Sequence, residues 1–200
     1  MFLNFAIPKG RIFDKTIELL KNSGFEIRFD ERNLTYDDKN NEISFMLLKN
    51  HDVPLFVERG ICDLGICGKD TILETGADVF EVLNLGIGYC RLSLIVNNET
   101  KLDTSKFLRI ATKFPNLART YLEKLQFELI TLDGSVEIAA TCKMVDAVLD
   151  LVSTGETIKR NNLKEVEVFE EFFSYLIVNK ISFRLKYKHI KQIIDRLAEK

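Results

Sequence analysis

A cluster of hydroxyl groups and a glycine closes one apolar segment of this 200-residue chain. The segment reads DAVLDLVSTGETIKRNN, and its apolar run 147–152 carries a single acid, Asp150. Four residues beyond the run supply hydroxyls or backbone freedom: Ser153, Thr154, Gly155 and Thr157. A strand that ends before a helix leaves backbone N–H groups unpaired where the helix dipole is positive, and glycine lets the backbone approach a ligand closely. The pattern predicts a phosphate-binding loop.

Two acids accompany this loop. Asp146 precedes Asp150 by four residues, and both are expected near the strand. A carboxylate that accepts from two neighbouring hydroxyls is a common way to hold a ribose. Phosphate and diol together predict a ribose phosphate ligand. Hydroxyl and glycine clusters are also typical of ordinary turns and helix N-caps, and the residue types alone leave that alternative open.

A second anion-binding pattern lies near the N-terminus. Lys9, Gly10 and Arg11 follow the first apolar segment and open a predicted helix, so two cations stand where α/β proteins bind ligands. Arg32 and the pair Lys69-Asp70 are candidates of the same kind. A solvated loop is the alternative for each of them.

Composition limits the class of protein. The 28 Lys+Arg against 30 Asp+Glu give a net charge of -2, which offers no global field for nucleic acid. The four cysteines lack the paired spacing of a zinc site or a disulfide framework, which favours a reducing cytoplasm. No apolar run approaches the roughly 20 residues that span a bilayer, so we expect no membrane association.

Strand and helix patterns alternate along the chain and predict an α/β fold. In the first half we expect strands at 2–7, 43–47 and 63–68, with helices ending near Gly24 and Gly60. In the second half we expect strands at 92–96, 108–111, 127–132 and 147–152, with helices opening near 115 and 134. Residues 167–179 read as strand, and Ile190, Ile193, Ile194 and Leu197 mark an amphipathic C-terminal helix.

Several ordered segments resemble the ATP phosphoribosyltransferase family, which performs the first step of histidine biosynthesis. They are AIPKGR, DVPLFVERGICDLGICGKD, RIATKFPNLAR, DGSVEIA and DLVSTGETIKRNNL, and together they span nearly the whole chain. Two residues depart from the pattern, because Ala140 and Lys143 stand where the family usually has proline and glycine. IKRNN also replaces the commoner L-R-A-N-G.

The resemblance implies a two-lobed type II periplasmic-binding-protein-like fold with the active site in the cleft between its α/β lobes. The lobes are expected at 1–90 plus 173–200 and at 91–172. The implied reaction joins adenine N1 of ATP to C1 of phosphoribosyl diphosphate (PRPP) and expels pyrophosphate. Mg²⁺ is expected to arrive with the phosphorylated substrates.

The resemblance also implies roles for individual residues. For the 5-phosphate of PRPP these are Ser153, Thr154, Gly155 and Thr157. The residues implied near the ribose are Glu137, Asp146 and Asp150. For ATP or the departing pyrophosphate they are Lys9, Gly10, Arg11, Arg32, Lys49 and Asp70, with Arg11 and Arg32 as the catalytic cations.

Short-form members of this family work with a separate subunit that resembles histidyl-tRNA synthetase. Because the chain ends at Lys200, the resemblance implies a homodimer within such a hetero-oligomer, with histidine acting only through the partner. Two other classes remain alternatives. A salvage phosphoribosyltransferase usually carries adjacent acids where this chain has Asp150-Leu151, and a non-catalytic solute-binding module would normally be exported.

Overall fold

The structure is a computed structural model, which describes residues 2–29 and 33–199. The chain divides into two compact units. The first unit comprises the described residues of Met1–Gly88 and Phe173–Lys200, and the second unit is Tyr89–Phe172. No helix within the described ranges combines the length and apolar character that crossing a bilayer requires.

Eleven strands and eight α-helices follow one another in the described residues. The strands are β1 (Leu3–Lys9), β2 (Thr35–Asp38), β3 (Ile43–Lys49), β4 (Leu64–Gly68), β5 (Phe80–Asn84), β6 (Cys90–Asn97), β7 (Leu108–Thr112), β8 (Phe127–Thr131), β9 (Ala147–Val152), β10 (Leu163–Phe172) and β11 (Ser174–Val178). The helices are α1 (Phe13–Asn22), α2 (Val53–Glu58), α3 (Lys69–Thr75), α4 (Pro115–Tyr121), α5 (Val136–Thr141), α6 (Glu156–Arg160), α7 (Lys180–Leu185) and α8 (Tyr187–Ala198).

The first unit is built on a six-stranded sheet in the order β2-β3-β1-β4-β11-β5. β1 runs parallel to β3 and β4, whereas β2 and β11 run antiparallel to their neighbours. Phe5, Ala6 and Ile7 of β1 are fully buried, as a central parallel strand covered on both faces requires. The carboxyl ends of β1, β3 and β4 therefore meet at one edge of this sheet.

Two helices cover the sheet of the first unit with apolar faces. Leu20 of α1 and Ile190, Ile193 and Leu197 of α8 join Phe5 in one buried cluster. Burying each such side chain contributes roughly 1.5–3 kcal/mol. The amphipathic C-terminal helix predicted from the sequence is present, and its apolar face packs in the core of the first unit.

The second unit is built on a five-stranded sheet in the order β10-β6-β9-β7-β8. β9 lies at its centre, parallel to β7 and antiparallel to β6. One face packs against α4 through Leu117, and the other packs against α5 and α6 through Val136 and Ile158. The strand that carries Asp150 is therefore fixed on both sides by its neighbours.

The strand prediction for residues 167–179 is confirmed apart from Phe173 and Asn179. The structure divides this segment between β10 and β11, which belong to different sheets. Phe172 is buried in the core of the second unit, whereas Leu176 is buried in the core of the first. The chain passes from one core to the other at Phe173. No glycine or proline marks this break in the sequence.

Candidate active site

The hydroxyl-rich loop lies at the carboxyl end of β9 and opens α6, as the sequence predicts. Gly155 has φ +78°, in the left-handed region that glycine adopts most readily. Ser153, Thr154 and Thr157 are exposed, so their hydroxyls are accessible to a ligand. Because α6 has only five residues, its dipole adds little, and the anion affinity of the loop rests on local N–H and hydroxyl donors.

A half-buried ion pair supports this loop. Arg91 donates from Nε and Nη2 to the Glu165 carboxylate at 2.7 and 2.5 Å, and Ser93 donates to the same carboxylate at 2.6 Å. Arg91 Nη1 also donates to the Ser153 carbonyl at 3.3 Å. The Arg91 guanidinium lowers the pKa of Glu165. No pattern in the sequence indicates this network, since β6 and β10 bring its members together from distant parts of the chain.

Asp150 is buried in β9, with 4% of its surface exposed. Lys113 Nζ lies 3.3 Å from its Oδ1, and the Leu151 backbone N–H donates to the same oxygen at 2.7 Å. Burial raises the pKa of Asp150, Lys113 partly offsets this, and the charge of Glu137 on α5 raises the pKa further. The negative charge of Glu137 therefore acts on the Asp150 carboxylate.

Asp146 lies away from this cluster. It precedes β9 at the amino end of the strand, where its carboxylate accepts from the backbone N–H of Arg109 at 2.8 Å and from the Arg109 guanidinium at 3.1 Å. This ion pair lowers the pKa of Asp146. At about 3.3 Å per residue, Asp146 lies roughly 20 Å from Ser153. The resemblance implies Asp146 near the ribose, and in the structure Arg109 holds this carboxylate at the amino end of β9.

The two departures from the family pattern lie at the end of α5. Lys143 has φ +55°, a conformation that glycine adopts without strain and that explains why glycine is usual there. Ala140 is buried within α5, where it continues the helix. Neither substitution reaches the loop after β9.

The cations of the first unit meet at the carboxyl edge of its sheet. Lys9 and Lys49 are paired in register at the ends of β1 and β3, and both are exposed. Adjacent strands lie about 4.8 Å apart, so two positive charges converge on one small area. Gly10 follows directly. A polyphosphate matches such a pair of charges.

Arg11 and Asp70 are held by neighbouring groups of the first unit. Arg11 Nη1 donates to the Gly88 carbonyl at 3.2 Å. Asp70 is buried in the first turn of α3, where it accepts from the Thr71 hydroxyl at 3.1 Å. A Cβ at Gly68 would collide with Asp70 Oδ1, so glycine permits this inward position. Arg32 lies outside the described residues.

These features define a class of protein. Each unit is an α/β domain, and the second presents donors for a phosphate beside a buried carboxylate suited to a diol. A substrate-binding protein of an amino acid ABC transporter matches the fold with a TM-score of 0.63 at 12% identity, over 100% of this chain and 92% of that chain. The two-lobed periplasmic-binding-protein-like fold predicted above is confirmed.

Comparisons at higher identity give the family. A model described as ATP phosphoribosyltransferase matches residues 49–199. An ATP phosphoribosyltransferase of Citrifermentans bemidjiense is 41% identical over 99% of this chain and 98% of its own length, and one of Halothermothrix orenii is 38% identical over 97% and 92%. The chain belongs to the ATP phosphoribosyltransferase family.

A solved structure agrees with this membership. The ATP phosphoribosyl transferase (HisG:HisZ) complex from Thermotoga maritima contains a chain that matches with a TM-score of 0.86 at 30% identity, over 99% of this chain and 98% of that chain. The predicted family, its transferase class and its place in histidine biosynthesis are confirmed. Identities of 41% and 38% to ATP phosphoribosyltransferases favour this family over a salvage enzyme, and the solute-binding protein shares only the fold, at 12% identity.

Proposed function

We propose that this chain transfers the phosphoribosyl group of PRPP to adenine N1 of ATP. The N1–C1 bond forms as the bond between C1 and the diphosphate oxygen breaks, which yields phosphoribosyl-ATP and pyrophosphate. The observation that carries the proposal is the pairing, at the end of β9, of an accessible phosphate loop with buried Asp150 in a chain 41% identical to an ATP phosphoribosyltransferase.

In this proposal the second unit binds PRPP. The loop residues Ser153, Thr154, Gly155 and Thr157 donate to the 5-phosphate. Asp150 accepts from the ribose hydroxyls, and Glu137 lies beside it. Asp146 is not included, because its carboxylate is engaged by Arg109 at the other end of β9.

The cations of the first unit bind ATP or the departing pyrophosphate. Displacement at an anomeric carbon builds positive character on the ribose and negative charge on the diphosphate, so catalysis requires alignment and cationic stabilisation. Lys9 and Lys49 supply adjacent charges beside Gly10, and Arg11 supplies a guanidinium. Arg32 is assigned here by the family resemblance alone. The buried position of Asp70 suits a role in shaping this edge, and no covalent nucleophile is required.

We also propose that Mg²⁺ accompanies PRPP and neutralises charge on its diphosphate. The described residues contain no group of three or more His, Cys, Asp or Glu that could hold a metal ion. Mg²⁺ commonly takes substrate phosphates, water and only one or two carboxylates as ligands. The residues present fit an ion that is held mainly by the diphosphate.

For partners, we propose a homodimer within a hetero-oligomer with a HisZ-type regulatory subunit. Support comes from the Thermotoga maritima structure, which is a HisG:HisZ complex. Allostery requires a second site whose affinity for the effector differs between two states. We propose that the HisZ-type subunit provides this site for histidine. ATP and PRPP as substrates favour a cytoplasmic location.

A spectroscopic assay tests the activity. Purified chain with ATP, PRPP and Mg²⁺ is expected to produce the absorbance of N1-substituted adenine, and ribose 5-phosphate in place of PRPP is the control. Failure to form this product, also after addition of a HisZ-type subunit, would rule out the activity. Strong histidine inhibition of the folded chain alone would rule out regulation through the partner.

A further inference from the structure

Lys113 contacts the proposed ribose carboxylate and has no role in the reaction as described so far. Its Nζ lies 3.3 Å from Asp150 Oδ1, and the lysine side chain is 41% exposed against 6% for the aspartate. A partly exposed cation therefore lies over a buried acid, at the carboxyl end of the strand that carries the phosphate loop.

The pairing of β7 with β9 brings Lys113 close to Asp150. β7 and β9 are parallel, with Ala111 opposite Val148. Asp150 lies two residues further along β9, and Lys113 lies two residues beyond Ala111, just past the end of β7 at Thr112. The lysine also lies over the Phe114 ring, with Nζ 5.3 Å from the ring centroid. Its position thus follows from strand register and packing.

The other charged groups around Asp150 do not replace Lys113. Glu137, which reaches this region from α5, is an acid and disfavours a second negative charge. Arg91, on the adjacent strand β6, is paired with Glu165 at 2.5 Å. Ser93, opposite Asp150 on β6, donates to Glu165 as well. Lys113 is the cation that the structure places against the Asp150 carboxylate.

We propose that Lys113 is a positioning residue that keeps Asp150 ionised, and so able to accept from both ribose hydroxyls of PRPP. The inference rests on the proposed function, which assigns Asp150 to the ribose. An ionised carboxylate accepts on both oxygens, whereas a protonated one presents a donor in place of one acceptor. PRPP affinity at neutral pH therefore depends on Lys113.

The sign of the pH dependence follows. PRPP binding that needs ionised Asp150 is present above the pKa of that acid and is lost as the pH falls through it. Removing the positive charge of Lys113 raises the pKa of Asp150 further. The loss of affinity on acidification then begins at higher pH.

The test uses the full-length protein with Lys113→Met and Lys113→Arg. Titration calorimetry with PRPP across mildly acidic to alkaline pH is expected to show affinity reduced about tenfold or more in Lys113→Met at neutral pH, since hydrogen bonds to charged groups are of that order. The affinity should recover as the pH is raised. Lys113→Arg should retain the wild-type pH profile, and ATP affinity should be unchanged in both variants.

Two further measurements separate the alternatives. Carbon NMR of the Asp150 carboxyl without substrate, assigned with Asp150→Asn, should show titration at higher pH in Lys113→Met. In an Asp150→Asn background, Lys113→Met should cause no additional loss of PRPP affinity. An unchanged carboxyl titration, or a loss that persists in that background, would overturn the role of Lys113. Lack of turnover by the wild-type protein would instead overturn the proposed function on which it rests.

Discussion

Replacing Gly155 with alanine tests the phosphate loop with a single methyl group. Gly155 has φ +78° and ψ +4°. An added Cβ would lie 3.6 Å from Arg91 Nη2 and 3.9 Å from Val152 Cγ1, which are ordinary contacts. The side chain therefore fits, and the cost of the substitution is the left-handed backbone, about 1–2 kcal/mol.

We expect this strain to lower the affinity for PRPP and not the stability of the free protein. Because the loop is exposed, we expect it to relax in the free protein and to recover its bound shape only with PRPP. PRPP then has to supply the strain energy, so its affinity should fall roughly 5- to 30-fold, which corresponds to about 1–2 kcal/mol. The melting temperature should change little, since the relaxed loop no longer carries the strain.

Gly76→Ala is the matched control. Gly76 has φ +63°, and an added Cβ there would have no neighbour within 4 Å. Its backbone N–H is bonded to the Ile72 carbonyl at 3.0 Å, which holds the end of α3 in place. A strain of about 1–2 kcal/mol should lower its melting temperature by roughly 2–8 °C, with PRPP affinity unchanged.

Calorimetry with PRPP and thermal melts measure both quantities for the two variants. If Gly155→Ala lowers the melting temperature as much as the control and binds PRPP like the wild type, the loop does not hold the 5-phosphate. Gly155→Asn gives a second check. Asparagine tolerates the left-handed region better than alanine, so this variant should bind more tightly than Gly155→Ala.

Three further predictions concern charged residues. Because burial raises its pKa, Asp150 contributes stability at low pH that is lost as the pH rises through that raised pKa. Asp150→Asn should therefore be more resistant to urea than the wild type at alkaline pH, yet bind PRPP with a weaker affinity that calorimetry can still measure; lower resistance there would contradict this. The double variant Lys9→Ala, Lys49→Ala should have a higher KM for ATP in the forward reaction or for pyrophosphate in the reverse reaction. Steady-state kinetics measures both constants, and wild-type values for both would refute the role of the two lysines. Asp146→Asn should leave the KM for PRPP unchanged, because this carboxylate is bonded to Arg109 at the far end of β9; an increase would return Asp146 to the ribose site.

Residue types along the chain predicted an exposed loop between β9 and α6, because hydroxyls and a glycine after an apolar strand carry local information. They did not predict Lys113, Arg91 or Glu165 as supporting residues. These side chains meet their partners through strand register, which depends on the order β10-β6-β9-β7 and not on spacing in the chain. The residues that support the site are therefore determined by the tertiary structure and cannot be found from spacing in the sequence.

The spacing of Asp146 and Asp150 depends on the element that carries them. Residues four apart are neighbours on a helix, whereas on a strand they are separated by about 13 Å. The interval between Asp146 and Asp150 suggested a shared ribose site, but it spans most of β9. β2 was missed for another reason, since its sequence Thr35–Asp38 reads TYDD and lacks an apolar alternation.

The place of β11 in the first sheet has a consequence for synthesis on the ribosome. β11 lies between β4 and β5, and β5 pairs with it at the end of that sheet. The second unit is one continuous segment whose strands pair among themselves. All strands of its sheet have therefore been synthesised once Phe172 is added. Until Val178 follows, a nascent chain carries β5 unpaired and β4 with an open edge, which are surfaces that favour aggregation. The unit that begins the polypeptide is thus the last to complete its sheet.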